Sequence, residues 1–435
     1  MARARGDVHV VREEDGTIRV APVPPPASPG GTEERGHLAD GPGPDFTRAV
    51  LDVAGAVLTW SVLDRPGPPT AQLHDVSRAQ QWLWAVYGER TAAAVQACAA
   101  EERSLRVTAD RTALATDAAR LGLGHWAARW WPASYLDGIP ALEPDVLGLE
   151  LAALTHRCQQ LFDDFGDQPD DCAAELIQDH RAALDPLTRW WRTAPRPTDT
   201  TRRLESVLRL VDDAADGAGL DGQALRRLRS SLDGRDPAGA PVDPGSLFVR
   251  HDGYALAAGG PFGAGGRVIA RGSGTNDWRR CPPGLVDASE TAVSWTARAH
   301  GARRQIEVEA VAHGAASAAA VPLVAEVRVN DGHRNRVPLA RRDDTWTGRT
   351  GLDPAAAATT PRIAVDVLLP GFDPLPDPDR SGEAGDIADR DAIRALVRRR
   401  LTSAARSLTH DAPPYDASPE PFLAETVAAT AGEDY

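Results

Sequence analysis

The period of the hydrophobic pattern changes near residue 245, and this change limits the folds open to the chain. Before it, apolar residues recur at the spacing of a helix face, as they do over residues 204–211. After it, apolar and polar residues alternate as in strands, over residues 293–297 and 363–369 for example. Turn residues separate these strands and leave no room for crossover helices. The sequence therefore predicts an α+β multidomain protein, in which an all-α helical domain is followed by an antiparallel β-sandwich domain.

Proline, glycine and acidic residues mark the expected boundaries of these domains. A Glu14-Asp15-Gly16 turn between two alternating segments predicts a hairpin at the N-terminus. We expect an N-terminal β-hairpin over 1–20, a Pro/Gly linker over 21–44, the all-α helical domain over 45–233, a linker over 234–245, the antiparallel β-sandwich over 246–372, an acidic linker over 373–390, a C-terminal amphipathic helix over 391–410 and a mobile tail over 411–435.

Two segments of the helical domain carry specific expectations. Residues 49–63 are apolar on nearly every side, with Asp52 as the exception, which predicts a helix buried in the middle of its domain. A weaker helical pattern covers residues 108–122. Gly122 and Gly124 are expected to end that helix, because glycine weakens a helix interior.

Residues 125–140 contain the densest group of large amphipathic side chains, including Trp126, Trp130 and Trp131. Each indole has a large apolar area and one N–H that needs an acceptor, so these rings either pack inside a domain or contact a ligand. Packing in the helical core, with the helix ending at Pro132, is the favoured interpretation. The alternative is an exposed aromatic recognition surface.

Two segments are the candidates for binding a partner protein. The first is the tryptophan-rich segment with the loop over residues 133–140, where the chain leaves the predicted core. The second, residues 271–280, mixes donors, acceptors and an aromatic ring at the end of a strand, and loops on a rigid sandwich often bind partners. The candidate residues are Trp130, Trp131, Tyr135, Asp137, Arg271, Asn276, Asp277 and Trp278.

Composition excludes several classes of function. All 48 basic residues are arginine, so P-loop, Schiff-base and Ser-Lys chemistry, which require lysine, are excluded. A net charge of −14 opposes nucleic-acid binding, which depends on neutralising phosphates. No secretory leader and no apolar stretch of roughly 18 residues is present, so we expect no membrane association. The four scattered cysteines are expected to stay reduced, which favours the cytoplasm.

Paired carboxylates are the only pattern that favours catalysis. A DDxxD spacing places Asp212 and Asp216 on one helix face, as Mg²⁺-diphosphate enzymes require, and the segment around Asp163 and Asp164 superficially resembles the aspartate-rich segment of terpene synthases. Too little helical chain follows Asp163 for the other half of such an enzyme, and no asparagine is available in the helical domain for a second metal motif. Carboxylates in the last turn of a helix are also electrostatically unfavourable.

A zinc site is the weaker alternative. His156, Cys158, Cys172 and His180 could supply ligands, but their spacing within predicted helices favours buried cysteines and partly exposed histidines. We therefore expect no cofactor and no metal. The sequence favours a non-catalytic protein-binding adaptor or accessory subunit of a cytoplasmic bacterial assembly, with partner proteins of unknown identity and no predicted oligomeric state. The alternative is a Mg²⁺-dependent diphosphate-processing or hydrolytic enzyme that uses the acidic clusters.

Overall fold

The computed structural model describes residues 5–23, 44–64, 67–162, 172–194, 198–234, 242–248, 266–313, 322–330, 332, 334–352, 362–372, 383–409 and 420–431. The chain forms two compact units. Unit 1 contains Met1–Ala128, Leu142–Phe248 and Arg399–Tyr435, and unit 2 contains Arg129–Ala141 and Val249–Arg398. Within the described ranges, no helix is both long enough and apolar enough to cross a membrane.

The strands, in chain order, are β1 (Arg5–Arg12), β2 (Ile18–Pro22), β3 (Arg48–Val53), β4 (Ala56–Ser61), β5 (Thr70–Leu73), β6 (Ser104–Asp110), β7 (Arg267–Ser273), β8 (Thr275–Asn276), β9 (Val293–His300), β10 (Arg303–Val311), β11 (Val324–Val329), β12 (Arg334–Pro338), β13 (Ala340–Arg342), β14 (Thr345–Leu352) and β15 (Ile363–Leu368).

The α-helices are α1 (Val76–Tyr87), α2 (Glu89–Ala100), α3 (Ala113–Trp130), α4 (Pro144–Arg157), α5 (Cys172–Asp179), α6 (Leu184–Thr193), α7 (Asp199–Gly217), α8 (Gln223–Asp233), α9 (Pro244–Leu247), α10 (Glu383–Thr409) and α11 (Leu423–Ala431). Short 3₁₀ turns cover Asp45–Thr47, Gln159–Leu161 and Arg181–Ala183.

A six-stranded sheet opens unit 1, and it corrects the predicted fold class. Its order is β3-β4-β5-β2-β1-β6, with neighbouring strands antiparallel. The predicted order, a helical domain and then a sandwich, is therefore wrong, because strands come first and helices follow. The two strands predicted as a separate hairpin are central members of this sheet. Its inner side chains, such as Val8 and Val10, are fully buried, and α2 packs against β1 and β6.

The segment predicted as a buried helix, residues 49–63, forms the β3–β4 hairpin instead. Val53 pairs with Ala56 across a turn in which Gly55 has a φ of +72°. A side chain there would also clash, since a Cβ would lie 2.3 Å from the carbonyl oxygen of Asp75. The alternation is hidden in the sequence because Val50 is apolar yet exposed. An apolar segment of this kind does not distinguish a helix from a strand.

Helix α3 continues through both glycines that were expected to end it. Glycine at position 122 brings the helix against Trp60, whose ring carbon would lie 3.1 Å from an added Cβ. At Gly124, an added Cβ would lie 2.5 Å from Leu151. Both glycines therefore permit close packing of a helix against its neighbours, which outweighs their low helix propensity.

The helices of unit 1 pack around α4. Helices α5, α7 and α11 contact it, and α11 also contacts α7 and α9. The residues that begin α11 are fully buried, although the sequence predicted a mobile tail over this region: Phe422, Leu423, Ala424, Glu425 and Thr426. Glu425 forms a buried ion pair with Arg400 at 2.6 Å. The core of unit 1 therefore includes chain far from its N-terminal sheet in sequence.

Unit 2 contains two sheets whose inner side chains share one hydrophobic cluster. The five-stranded sheet has the order β13-β14-β10-β9-β7, and the four-stranded sheet has the order β12-β11-β15-β8. The short strand β8 runs parallel to β15, with Asp366 opposite Thr275, so unit 2 is not purely antiparallel as the sequence predicted. The cluster includes Trp295 and Trp346.

Helix α10 begins at Glu383, within the segment predicted as an acidic linker. Residues 373–382 of that linker lie outside the described residues, as do most of the Pro/Gly linker over 21–44 and the linker over 234–245. The sequence predicted an amphipathic helix only from residue 391, with Arg390 in the acidic linker. In the structure Arg390 and Arg394 are buried, because both form ion pairs with Glu290.

Candidate functional site

The tryptophans at the end of α3 are buried. The ring of Trp130 lies 6.2 Å from that of Phe372, and the guanidinium of Arg129 lies over both rings. Trp131 donates its indole N–H to the carbonyl oxygen of Pro140 at 2.9 Å. Their large apolar surfaces thus pack within unit 2, and their side chains are not displayed in this conformation.

A tight turn follows these tryptophans and projects two large side chains into solvent. Ser134 and Ile139 exchange two backbone hydrogen bonds of 2.8 Å, which close a loop of four residues. We call this element the 134–139 turn. Gly138 has a φ of +62°, a conformation that glycine adopts without strain. Tyr135 and Leu136, at the tip, are 38% and 45% exposed.

The carboxylate of Asp287 fixes the backbone of this turn. Its Oδ2 accepts hydrogen bonds from the amides of Tyr135 at 2.7 Å and Leu136 at 3.4 Å. Its Oδ1 accepts from the hydroxyl of Ser134 at 2.7 Å and from the amide of Ser289 at 2.9 Å. The hydroxyl oxygen of Ser134 itself accepts a hydrogen bond from the amide of Asp137 at 2.9 Å. These polar groups are therefore used to hold the turn in one conformation.

The second predicted segment contacts the same region. Asn276 is buried and donates to the carbonyl oxygen of Asp287 at 3.1 Å. Trp278 is fully buried, with the guanidinium of Arg394 lying 5.3 Å from its ring centroid. Asp277 accepts from the backbone amide of Arg279. Both predicted segments therefore meet around Asp287 and α10.

Arg271, the remaining candidate residue, takes no part in the hydrogen bonds described around Asp287 and α10. It lies exposed on β7, opposite Thr296 of β9. The predicted place of Arg271 at the end of a strand agrees with the end of β7 at Ser273.

The charged residues of α10 link the turn to the rest of unit 2. Arg394 donates to the carbonyl oxygen of Ala288 and lies 3.6 Å from the carboxylate of Asp137. Arg398 donates to the backbone carbonyl of Asp137 at 3.2 Å. Burial raises the pKa of Glu290, but hydrogen bonds from Arg390 and Arg394 outweigh burial and leave that pKa below its ordinary value. This carboxylate is therefore a permanent anion at neutral pH.

The acidic cluster predicted for metal chemistry is held by an arginine. Arg229 of α8 donates to Asp212 at 2.7 Å and lies 3.3 Å from Asp216. A metal ion would have to displace this guanidinium from the carboxylates. Asp163 and Asp164 lie outside the described residues, so the alternative of an enzyme that uses both acidic clusters stays a prediction.

The possible zinc ligands do not assemble. His180 pairs with Asp145 at 3.1 Å, and Cys158 is buried while Cys172 is exposed. Across the described part of the chain, no group of three or more His, Cys, Asp or Glu side chains is placed to hold a metal ion.

Sequence reasoning missed a cavity in unit 1. It has a volume of about 330 Å³ and lies beside the buried carboxylate of Glu150 on α4. Its lining combines four arginines, three carboxylates and small or apolar residues: Arg120, Arg157, Arg202, Arg203, Glu150, Asp199, Glu420, Ala153, Leu154, Ser206, Val207 and Leu210. One signal was available in the sequence, because Glu150 interrupts an otherwise apolar helix segment over residues 146–154. We call this feature the Glu150 cavity.

Comparison with known proteins adds no functional assignment. The chain matches no protein-family model, and no curated protein or solved structure resembles it at a significant level.

Proposed function

We propose that the chain is a non-catalytic protein-binding adaptor, an accessory subunit of a cytoplasmic bacterial assembly, and that the 134–139 turn contacts its protein partner. One observation carries the proposal. Tyr135 and Leu136 are exposed at the tip of a turn whose backbone is fixed from below by the carboxylate of Asp287. Exposed apolar side chains on a rigid loop are typical of recognition elements.

The rigidity of the turn favours binding because a partner does not have to order it. Fixing a flexible loop on association costs about 0.5–1.5 kcal/mol for each immobilised side chain, in addition to backbone ordering. Here the hydrogen bonds to Asp287 and between Ser134 and Ile139 supply that order in advance. The backbone cost of binding through this turn is correspondingly small.

The chemistry of the turn defines the partner surface. Tyrosine and leucine side chains fill apolar pockets on a partner surface. Asp137 within the turn and the exposed Arg398, which contacts it, supply charges of both signs. We therefore propose a protein partner with a shallow apolar pocket bordered by polar groups. No nucleic acid or membrane is part of this proposal.

Site-specific cross-linking tests the proposal. We would place a photo-cross-linking phenylalanine analogue at Leu136, with a matched variant at Trp84 of α1, whose side chain is 54% exposed in unit 1. The expected result is a protein from the native host that cross-links at position 136 and not at position 84. A Tyr135→Ala, Leu136→Ala double variant should reduce capture of that protein at least tenfold with an unchanged melting temperature.

The same experiment can overturn the proposal. Identical cross-linked proteins at positions 136 and 84 would mean that the turn has no special role. Full capture by the double variant would place the binding surface elsewhere on the chain.

A further inference from the structure

Glu150 is buried with one of its two carboxylate oxygens lacking a hydrogen-bond donor among the described residues. Its side chain is 1% exposed, and Oε2 accepts from the amide of Ala424 at 3.1 Å. Among the described residues, Oε1 has no hydrogen-bond donor, and the nearest cationic nitrogen is Nη2 of Arg120 at 3.7 Å. The Nε atom of Arg120 is likewise buried without an acceptor in the described part of the chain. Two residues that line one cavity therefore carry a buried acceptor and a buried donor without hydrogen-bond partners among the described residues.

The Glu150 cavity has the size and lining of a small-molecule site. Its volume of about 330 Å³ falls at the lower end of the range for ligand pockets, about 300–1,000 Å³. Leu154, Val207 and Leu210 form the apolar part of the cavity lining, and arginine and carboxylate side chains form the charged part. A ligand of metabolite size fits such a space.

The two arginines at the outer wall form ion pairs in which the guanidinium group is partly exposed to solvent. Arg157 pairs with Asp117 at 2.8 Å, and Arg202 pairs with Asp199 one helical turn away. Arg202 is 67% exposed, and ion pairs between exposed side chains contribute little to stability because water screens them. An entering anion can therefore replace these carboxylates at little cost, and an arginine fork suits a carboxylate or a phosphate.

Deeper in the wall, the charges that face Glu150 come from three elements. Arg120 of α3 and Arg203 of α7 are attractive, and both pair with Glu420, whose side chain is about half exposed. On the remaining side, Glu425 of α11 is matched by its ion pair with Arg400. On another side of α4, His180 pairs with Asp145. Burial raises the pKa of Glu150 to about 7, although Arg120 and Arg203 lower it.

We propose that the Glu150 cavity binds a small organic oxyanion, a carboxylate or a phosphate ester, held by Arg120, Arg157 and Arg202 and by the neutral acid form of Glu150. The acid form donates its proton to an oxygen of the ligand, and the guanidinium of Arg120 donates its Nε–H. Four guanidinium groups around the cavity disfavour a cationic ligand. The site lies wholly within unit 1 and does not depend on the partner-binding turn of unit 2.

Protonation makes the affinity depend on pH. With a pKa near 7, about nine tenths of Glu150 is protonated at pH 6 and about one tenth at pH 8. Because only the protonated form is competent, the apparent affinity should fall about tenfold between these values.

Titration calorimetry of the full chain with inorganic phosphate and with succinate, at pH 6 and pH 8, tests the proposal. Sodium chloride at matched ionic strength is the control for screening. Binding of succinate alone would assign the site to carboxylates, and binding of phosphate alone would assign it to phosphate esters. In either case binding should be about tenfold weaker at pH 8.

Variants separate this site from general charge effects. Arg202→Gln should weaken binding about tenfold or more, because a charged hydrogen bond is lost. Arg226→Gln on α8 is the matched control, since Arg226 is 70% exposed and also pairs with a nearby aspartate but does not line the cavity. Glu150→Gln should bind at pH 8 as tightly as the unchanged chain binds at pH 6.

Three results would overturn the proposal. They are no heat of binding for either anion at millimolar concentration, equal binding by the Arg202→Gln and Arg226→Gln variants, and an affinity that rises with pH. The Arg202→Gln result stands even if Glu150→Gln folds poorly, because Arg202 is at the surface.

Discussion

Two buried carboxylates, Asp287 in unit 2 and Glu150 in unit 1, are almost equally hidden from solvent, at 2% and 1% exposed. Asp287 accepts four hydrogen bonds on its two oxygens. Glu150 accepts hydrogen bonds on Oε2 from backbone amides at the start of α11, whereas its Oε1 has no donor among the described residues. Burial costs each of them its hydration, but only Asp287 regains the lost hydrogen bonds within the protein. The comparison separates a carboxylate that maintains a structure from one that is available to a ligand.

The largest effect is expected at Asp287. Asp287→Ala would leave the hydroxyl of Ser134 and the amides of Tyr135, Leu136 and Ser289 without their acceptor, so unit 2 should lose about 4 kcal/mol of unfolding free energy. Urea unfolding with hydrogen exchange of unit 2 peptides measures this loss. Glu309→Ala, at an exposed position of β10, is the control. A loss below about 1 kcal/mol would mean that the turn is held by other contacts.

The next effect is expected at Glu150 and has the opposite sign. The pKa of about 7 lies above the ordinary value of 4.5, so the chain loses stability as pH rises between these values. Glu150→Gln keeps the shape without the charge. It should therefore stabilise unit 1 by about 3 kcal/mol at pH 8 and by less than about 1 kcal/mol at pH 5.

Thermal unfolding across this pH range measures the change at Glu150. A variant that is less stable than the unchanged chain at pH 8 would show that Arg120 fully compensates the ionised carboxylate. The contrast with Asp287 would then disappear.

The smallest effect is expected at Gly138, which gives the 134–139 turn its shape without a side-chain contact. An added Cβ at this position meets no atom within 4 Å, so Gly138→Ala tests backbone conformation alone. At a φ of +62° the substitution should cost about 1 kcal/mol. Gly217→Ala, in the last turn of α7 with equally open surroundings, should cost nothing by chemical denaturation. Equal effects at both positions would remove the strain argument.

The sequence predicted secondary structure correctly in segments whose apolar pattern fits either a helix or a strand but not both. The alternating segments of unit 2 and the helical period of α7 are strands and a helix. It failed at residues 49–63, where Val50 is exposed on a hairpin and masks the alternation. It failed again at Gly122, where contact with Trp60 decides the structure and propensity does not.

Some residues of the two candidate sites could be predicted from the sequence, and others could not. Tyr135 and Asp137 were singled out because they follow the tryptophans, but Asp287 carries no local signal and reaches the turn across a sequence separation of 152 residues to Tyr135. Glu150 was detectable as a charge within an apolar helix face. The missing donor at its Oε1 was not detectable, because the residues around Glu150 come from α3, α7 and α11, which are distant in the sequence.

The burial of Phe422 and Leu423 has a consequence for the order of events during synthesis. The ribosome makes the sheet and helices of unit 1 first, then unit 2, and only afterwards the residues that fill the core around α4. Domains generally fold as units while the chain emerges. Unit 2, apart from its short N-terminal piece, is continuous and can fold on emergence, whereas the part of α4 that contacts α11 stays uncovered until α11 is made. We therefore expect nascent unit 1 to depend on a chaperone more than unit 2 does.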